Sequence, residues 1–400
     1  MTPKPATGPL AGLRVIDASN FLAAPTVSMH LADMGAEVIK LERPNGGDEF
    51  RNWGRRRDEI ALYYKVVNRN KLSVTADFRT PLGVETVKRL VRDADLIVEN
   101  YRPGTMEKWG LGYDVLSAIN PRLVMLRVTG YGQEGPNSAK PGFGTALEGY
   151  AGFVYINGEP DGPPLLPPFG LSDASSGLCG AFLALAALRE RDASGQGQVV
   201  DLALYEAMFA MLGPFVVEHD QLGVVQERMG SRLPWVAPRN TYQCRDGAWV
   251  SLSASSNGTF LRLCSALGEP GLARDPRFAE NAGRIANVLA LDEVLSGLIG
   301  RFDRAELIAL LEAADAVVAS VNSVADIMAD PHIIARGSII AVEDAELGGA
   351  MRMQAPSGRF SRTPPEIHHA GPPAGAHNRD ILIGRLGFTE AELHAAGIAP

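Results

Sequence analysis

Two hydrophobic rhythms alternate over the first 130 residues of the chain. The runs LRVIDASN (13–20), EVIKLER (37–43), SVTADF (73–78), DLIVENY (95–101) and RLVMLRVTGYG (122–132) are short, apolar and β-branched, as strands are. Between them, PTVSMHLADMG and PLGVETVKRLVRDA read as helices, the second placing Leu82, Val87, Leu90 and Val91 on one face with charges opposite. This alternation predicts a parallel sheet with helices on both faces.

The pattern breaks at GEPDGPPLLPPFG (158–170), whose five prolines forbid a regular helix or central strand and predict a stiff loop. Directly after it, DASSGLCGAFLALAALRERD predicts an alanine-rich helix beginning just after Asp173 and ending in a charged turn. SGQGQVVDLALYEAMFAML follows as a turn, a strand-like run and another helical pattern, with Gly195 and Gly197 expected as helix cap and tight turn. From about 240 the texture changes. TYQCRDGAWVSLSA reads as a hairpin turning at Asp246 and Gly247, and helical segments run from about 258 to 315, which suggests a smaller α+β domain. The tail is rich in Pro and Gly until NRDILIGRLGFTEAELHAAGI, where helical periodicity returns.

Four hundred residues exceed what one hydrophobic core usually organises, so two domains are expected. The expected division is a large domain over 1–200, a linker helix over 201–225, a small domain over 226–330 and a segment over 331–400 that returns to the large domain. A net charge of −8 with no long basic run argues against nucleic-acid binding, which needs a positive footprint. Cys179, Cys244 and Cys264 lack metal-ligand spacing and read as reduced structural residues, so no metal is expected. MTPKPATGPLAG lacks the apolar stretch of a signal peptide, and nowhere do about 18 apolar residues run uninterrupted. A cytoplasmic protein without membrane contact is the expectation. There is no G-x-G-x-x-G, Walker A lysine motif, H-E-x-x-H or G-x-S-x-G, so a doubly wound sheet does not by itself imply a nicotinamide or ATP function.

More specific are several longer motifs in order: PLAGLRVID, MGAEVIKLERPNGGD, NRNKLSV, VENYRPGTMEKWGLGY, VTGYGQEGP, D-x-x-x-G ahead of R-x-x-S-G-Q-G-Q-V-V-D, DPHIIARG and SRTPP. Through these the chain resembles the class III CoA-transferases, the family of formyl-CoA transferase, whose relatives include carnitine CoA-transferase and the α-methylacyl-CoA racemases. The resemblance implies a Rossmann-like large domain, a smaller α+β domain and a homodimer whose two chains interlock like linked rings. It also implies acyl-CoA and a carboxylic acid as substrates, with no tightly bound cofactor.

Local pattern alone makes Asp173 a helix N-cap. The resemblance makes it the nucleophile, which attacks an acyl-CoA thioester to form a mixed anhydride and then an aspartyl-CoA thioester. A carboxylate suits this role because it is ionised at neutral pH without a general base. The Pro-rich loop is a candidate wall excluding water from the anhydride, or else a surface connector. By resemblance, Arg43, Lys71, Lys108, Asn100 and Tyr101 contact CoA, and Tyr131 lies beside the active site; taken singly, an exposed Lys or Arg is more often a solvated charge, Asn100 and Tyr101 also read as a strand-end turn, and Tyr131 reads equally as a buried aromatic. Leu22 stands where formyl-CoA transferase has glutamine, and GSRLPWVAPRN stands near the place of its glycine-rich flap. Leu22 and Trp235 thus suggest a larger or more apolar acyl group. The family's racemases carry G-H-D where this chain has Phe143 and Gly144, which disfavours racemisation, since that chemistry needs an acid and a base at the α-carbon. A silent CoA-binding protein is the remaining alternative.

Overall fold

The computed structural model describes residues 8–399, so most of MTPKPATGPLAG lies outside the described residues. The chain forms two compact units. One comprises the residues up to Phe153, Leu166–Gly223 and the chain from His332 onward; the other comprises Val154–Leu165 and Val224–Pro331.

In the first unit the strands are β1 (Arg14–Asp17), β2 (Glu37–Glu42), the small pair β3 (Arg56–Arg57) and β4 (Ile60–Ala61), then β5 (Lys71–Thr75), β6 (Leu96–Glu99), β7 (Val124–Thr129) and β8 (Val199–Ala203). The helices are α1 (Ala23–Asp33), α2 (Leu62–Val67), α3 (Pro81–Val91), α4 (Thr105–Lys108), α5 (Tyr113–Ile119), α6 (Gly144–Tyr150), α8 (Leu171–Ser194), α9 (Leu204–Ala210) and α10 (Phe215–Leu222), with α7 (Phe153–Ile156) running from this unit into the second. Six strands form one sheet in the order β5-β2-β1-β6-β7-β8, every neighbouring pair parallel. Numbered within the sheet alone, that order is 3-2-1-4-5-6, the doubly wound arrangement. The expected α/β sheet is therefore present, and it gains β8 as its sixth strand.

The inner strands β2, β1, β6 and β7 bury both faces, which explains the near-continuous apolar runs in the sequence. Ile16, Ile39, Val74, Ile97 and Met125 face a core that includes Val87, Leu90 and Val91 of α3. Val15, Val38, Leu96, Leu126 and Val128 face the other core, with Val27 and Leu31 of α1 and Ala184 and Leu188 of α8. Helices α1 and α8 pack closely because α8 carries Gly177 and Gly180 at the contact. A Cβ at Gly177 would collide with Thr26, and one at Gly180 would lie 2.7 Å from Val27 Cγ2. Half of the most apolar window of α8, a helix long and apolar enough to cross a membrane, is buried inside the protein. Gly195 ends α8 as its left-handed cap, as its spacing suggested.

The stretch 201–225, expected as one linker helix, is instead the end of β8 followed by α9 and α10, interrupted at 211–214. The C-terminal segment covers the β5 edge of the sheet. The Ser73 and Thr75 amides donate to His377 Nδ1 at 3.1 Å and Asn378 Oδ1 at 2.9 Å, satisfying groups that an open edge would expose. Leu382, Phe388 and Leu393 join the core beneath.

The second unit holds β9 (Arg239–Gln243), β10 (Trp249–Ser253) and β11 (Val318–Ser320) in an antiparallel sheet with β10 central. With them are α11 (Asn257–Ala266), α12 (Asn281–Ala286), α13 (Val288–Ile299) and α14 (Arg304–Ala313). The predicted hairpin at Asp246 and Gly247 is the β9–β10 connection.

Candidate active site

In a doubly wound sheet the two strands flanking the reversal of order send their chains away in opposite directions, leaving a crevice at their carboxyl ends. Here those strands are β1 and β6, and a cavity of about 480 Å³ opens there. Asn20 to Ala23 after β1 and Asn100 to Pro103 after β6 line it, joined by residues following β2, β5 and β7 and by Asp173 of α8.

The two crevice walls are tied together. Asn100 accepts from the Asn20 amide at 2.9 Å and returns a bond from Nδ2 to the Asn20 carbonyl at 2.8 Å. Asn20 Nδ2 donates to the Tyr101 hydroxyl at 3.0 Å, and burial pushes that hydroxyl's pKa up to about 12. The next residue, Phe21, sits in the left-handed region at φ 64°, a conformation that costs a non-glycine residue roughly 1–3 kcal/mol. Buried Asp48 accepts from the Phe21 amide at 3.0 Å and holds this turn. The result aims the Phe21 ring at Phe143 and Trp53, edge to face with centroids 5.7 and 5.8 Å away.

Asp173 is not an N-cap. Helix α8 starts two residues earlier, at Leu171, behind Gly170, which supplies no side-chain cap. Asp173 therefore lies inside the first helical turn, with its carboxylate in the cavity. Gly144 and Gly170 press bare backbone against it: a Cβ on Gly144 would collide with Oδ2, and one on Gly170 would sit 2.9 Å from it. Burial, and secondarily the neighbouring Glu148 carboxylate, raise the Asp173 pKa to about 6. The group is ionised at neutral pH yet more basic than an ordinary carboxylate. Tyr63 also feels it, its hydroxyl raised by burial and by the Asp173 charge.

Four of the residues singled out in the sequence, Leu22, Arg43, Asn100 and Tyr101, line the cavity with Asp173. Arg43 is exposed and paired with Glu49 at 2.6 Å. Lys71 does not face the cavity. It is fully buried, with Nζ 2.9 Å from Asp17 Oδ2, 2.7 Å from the Pro25 carbonyl and 3.0 Å from Asn68 Oδ1, so its ammonium is a structural counter-ion between β5 and β1. Lys108 is exposed on α4 and absent from the lining. Tyr131 stacks edge to face on Tyr150 at 5.1 Å and, half-buried, packs against the sheet core outside the cavity lining. Trp235 belongs to the second unit, where its carbonyl accepts from Asn281 Nδ2 at 2.9 Å.

The structure adds Arg79, Arg102 and Lys140 to the lining. Arg79 is engaged by Asp77 at 2.8 Å, while Arg102 and Lys140 have no ion pair among the described residues. The signal for Arg79 and Arg102 was positional, since both follow directly on strand ends at the crevice. No histidine lines the cavity, and among the described residues no cluster of His, Cys, Asp or Glu is arranged to hold a metal. A carboxylate made unusually basic, in a cavity that also holds cations and aromatics, suits nucleophilic attack on an anionic, partly aromatic thioester.

Sequence comparison places residues 10–378 in CoA-transferase family III. The chain is 42% identical to succinyl-CoA–D-citramalate CoA-transferase of Chloroflexus aurantiacus, over 96% of this chain and 96% of that one. It is 34% identical to succinate–glutarate CoA-transferase of Agrobacterium fabrum, covering 94% and 95%. Among solved structures, a CaiB/BaiF family protein from Brucella suis superposes with a TM-score of 0.84 at 34% identity, covering 94% of this chain and 99% of that one. The chain belongs to CoA-transferase family III and is a CoA-transferase, an enzyme acting on acyl-CoA and carboxylic acids.

Proposed function

We propose that this enzyme moves CoA between short dicarboxylic acids through covalent intermediates on Asp173, with succinyl-CoA as donor. The observation that carries the mechanism is the Asp173 carboxylate, raised to about 6, aimed into the cavity and closed over by Gly144 and Gly170. The named activities of the relatives, succinyl-CoA to citramalate and succinate to glutarate exchange, support the substrate class.

The reaction begins when Asp173 attacks the thioester carbonyl carbon. The C–S bond breaks, a mixed anhydride forms and CoA thiolate departs. The thiolate then attacks the Asp173 carbonyl carbon, releasing the donor acid as carboxylate and leaving an aspartyl-CoA thioester. The acceptor carboxylate repeats both steps in reverse and frees Asp173. No proton is consumed, so no general base is needed. Arg43, Arg79, Arg102 and Lys140 hold the CoA phosphates, and Phe21, Leu22 and Phe143 keep water from the anhydride.

We also place the working enzyme in the cytoplasm as an interlocked homodimer. The outer face of α8 supports an association, because Leu178, Phe182 and Leu185 recur there at helical spacing and are 57%, 69% and 40% exposed. The decisive experiment is a CoA-exchange screen of succinyl-CoA and acetyl-CoA against a panel of acids. Succinyl-CoA should exchange with dicarboxylates and hydroxy-dicarboxylates, and Asp173→Ala should abolish both exchange and the hydroxylamine-sensitive adduct. Exchange by Asp173→Ala at the wild-type rate would overturn the mechanism.

A further inference from the structure

We propose that Glu148 is the positioning residue that keeps Asp173 nucleophilic, by taking the α8 amino-terminal amide that would otherwise stabilise the Asp173 carboxylate and by setting a buried negative charge beside it. This rests on the reading of Asp173 as the nucleophile.

The start of a helix concentrates unsatisfied amides and the positive end of its dipole, and a carboxylate in the first turn is ordinarily stabilised there. Asp173 occupies that position with only its own backbone amide to stabilise its charge, a smaller influence than burial and Glu148. The Leu171 amide bonds to the Phe169 carbonyl at 2.8 Å, and the Ala174 amide to the Gly170 carbonyl at 3.0 Å. Glu148 Oε1 takes the Ser172 amide at 3.1 Å. Gly170 contributes no side chain, so Glu148 caps α8 from another helix.

Helix α6 is built for this arrangement. Gly144 and Glu148 are four residues apart and so lie on one face of α6. Gly144 lacks the Cβ that would strike Asp173 Oδ2, which lets α6 approach the carboxylate; one turn further on, Glu148 reaches the α8 terminus. Glu148 is only 2% exposed, so its charge is poorly screened. Tyr63 of α2 also feels the Asp173 charge, but its hydroxyl, raised by burial, is neutral across the working range, and no salt bridge to Asp173 exists among the described residues.

The chemical consequence concerns the covalent states. Free Asp173 is an anion facing an anion, whereas its anhydride and its CoA thioester are neutral at that carbonyl. Glu148 therefore raises the energy of the resting carboxylate relative to both intermediates, in the donor and acceptor halves alike. It makes Asp173 more basic and favours the loaded enzyme.

The test uses the full-length enzyme with succinyl-CoA as probe. Intact-mass spectrometry reads the ratio of Asp173–CoA adduct to free enzyme from pH 4.5 to 8. Glu148→Gln keeps an acceptor for the Ser172 amide but removes the charge. Its acid limb should move down by roughly one pH unit, and the adduct ratio at pH 7.5 should fall about tenfold, the equivalent in equilibrium of one unit of basicity. Glu148→Asp, which keeps the charge, should retain the wild-type limb near pH 6. An unmoved limb in Glu148→Gln, or an equal shift in Glu148→Asp, overturns the role of Glu148. Asp173→Asn distinguishes the underlying reading: an adduct persisting in that variant removes the nucleophile itself.

Discussion

Replacing Asp173 by asparagine should abolish exchange and make the protein more stable at neutral pH. The carboxylate's pKa rises from 3.8 to about 6 on folding, so the ionised form is less welcome in the folded state than in the unfolded one. The sign follows directly. Below pH 3.8 both states hold the proton and the site costs nothing; between 3.8 and 6 the cost grows; above 6 it is present in full. Two pKa units correspond to about 3 kcal/mol, and partial solvent access reduces the expected gain to about 1–3 kcal/mol. Urea unfolding at pH 7.5 and pH 4 measures this, with intact-mass detection of the adduct alongside. The variant should be the more stable protein at pH 7.5, should lose most of that margin at pH 4, and should form no adduct. A variant no more stable than wild type at pH 7.5, or one whose gain ignores pH, would refute the argument that desolvation and Glu148 set the basicity of Asp173.

Four further outcomes are expected. Lys71→Met should destabilise the protein by roughly 3–5 kcal/mol, because it strips Asp17 of a buried counter-ion; a stable variant with raised KM for the CoA ester would instead restore Lys71 as a ligand contact. The double variant Arg102→Ala/Lys140→Ala should raise KM for the CoA ester about tenfold with kcat and the urea midpoint little changed, measured by steady-state exchange. Gly144→Ala should fold yet lose on the order of a hundredfold in kcat, since its new methyl displaces the Asp173 carboxylate. Leu382→Ala should cost about 2–5 kcal/mol, read by urea unfolding, because it empties a fully buried position where the C-terminal segment packs on the large unit.

The parallel sheet was legible because its inner strands are buried on both faces, which turns them into unbroken apolar runs that no surface strand would tolerate. What was not legible were the charges inside those runs. Asp17, Lys40, Glu42 and Lys71 stand in strand segments yet are almost wholly buried, and each is satisfied by a group distant in sequence. Lys71 pairs with Asp17, and Lys40 lies 3.8 Å from the same carboxylate, only because the topology sets β2 beside β1 and β5 beside β2. A lysine at a strand start looks the same in sequence whether it faces a phosphate or a partner carboxylate. Family resemblance reads both Lys71 and Arg43 as CoA contacts; the structure buries Lys71 on Asp17 and sets Arg43 in the cavity lining.

The same reasoning explains why the position of Asp173, the proposed nucleophile, was legible while its basicity was not. An Asp ahead of an apolar helix reads as a cap, because caps are what short polar side chains at helix starts usually do. The structure places the helix start two residues upstream and gives the capping to Glu148, 25 residues earlier in the chain, on a helix whose sequence carries no sign of the contact. Basicity is a property of surroundings, and here the surroundings are two glycines that admit backbone, one buried carboxylate and the absence of a paired cation among the described residues. Each of these is a relation between segments brought together by the sheet. The aspartate can be found by reading along the chain, but the source of its basicity lies in what the fold brings beside it.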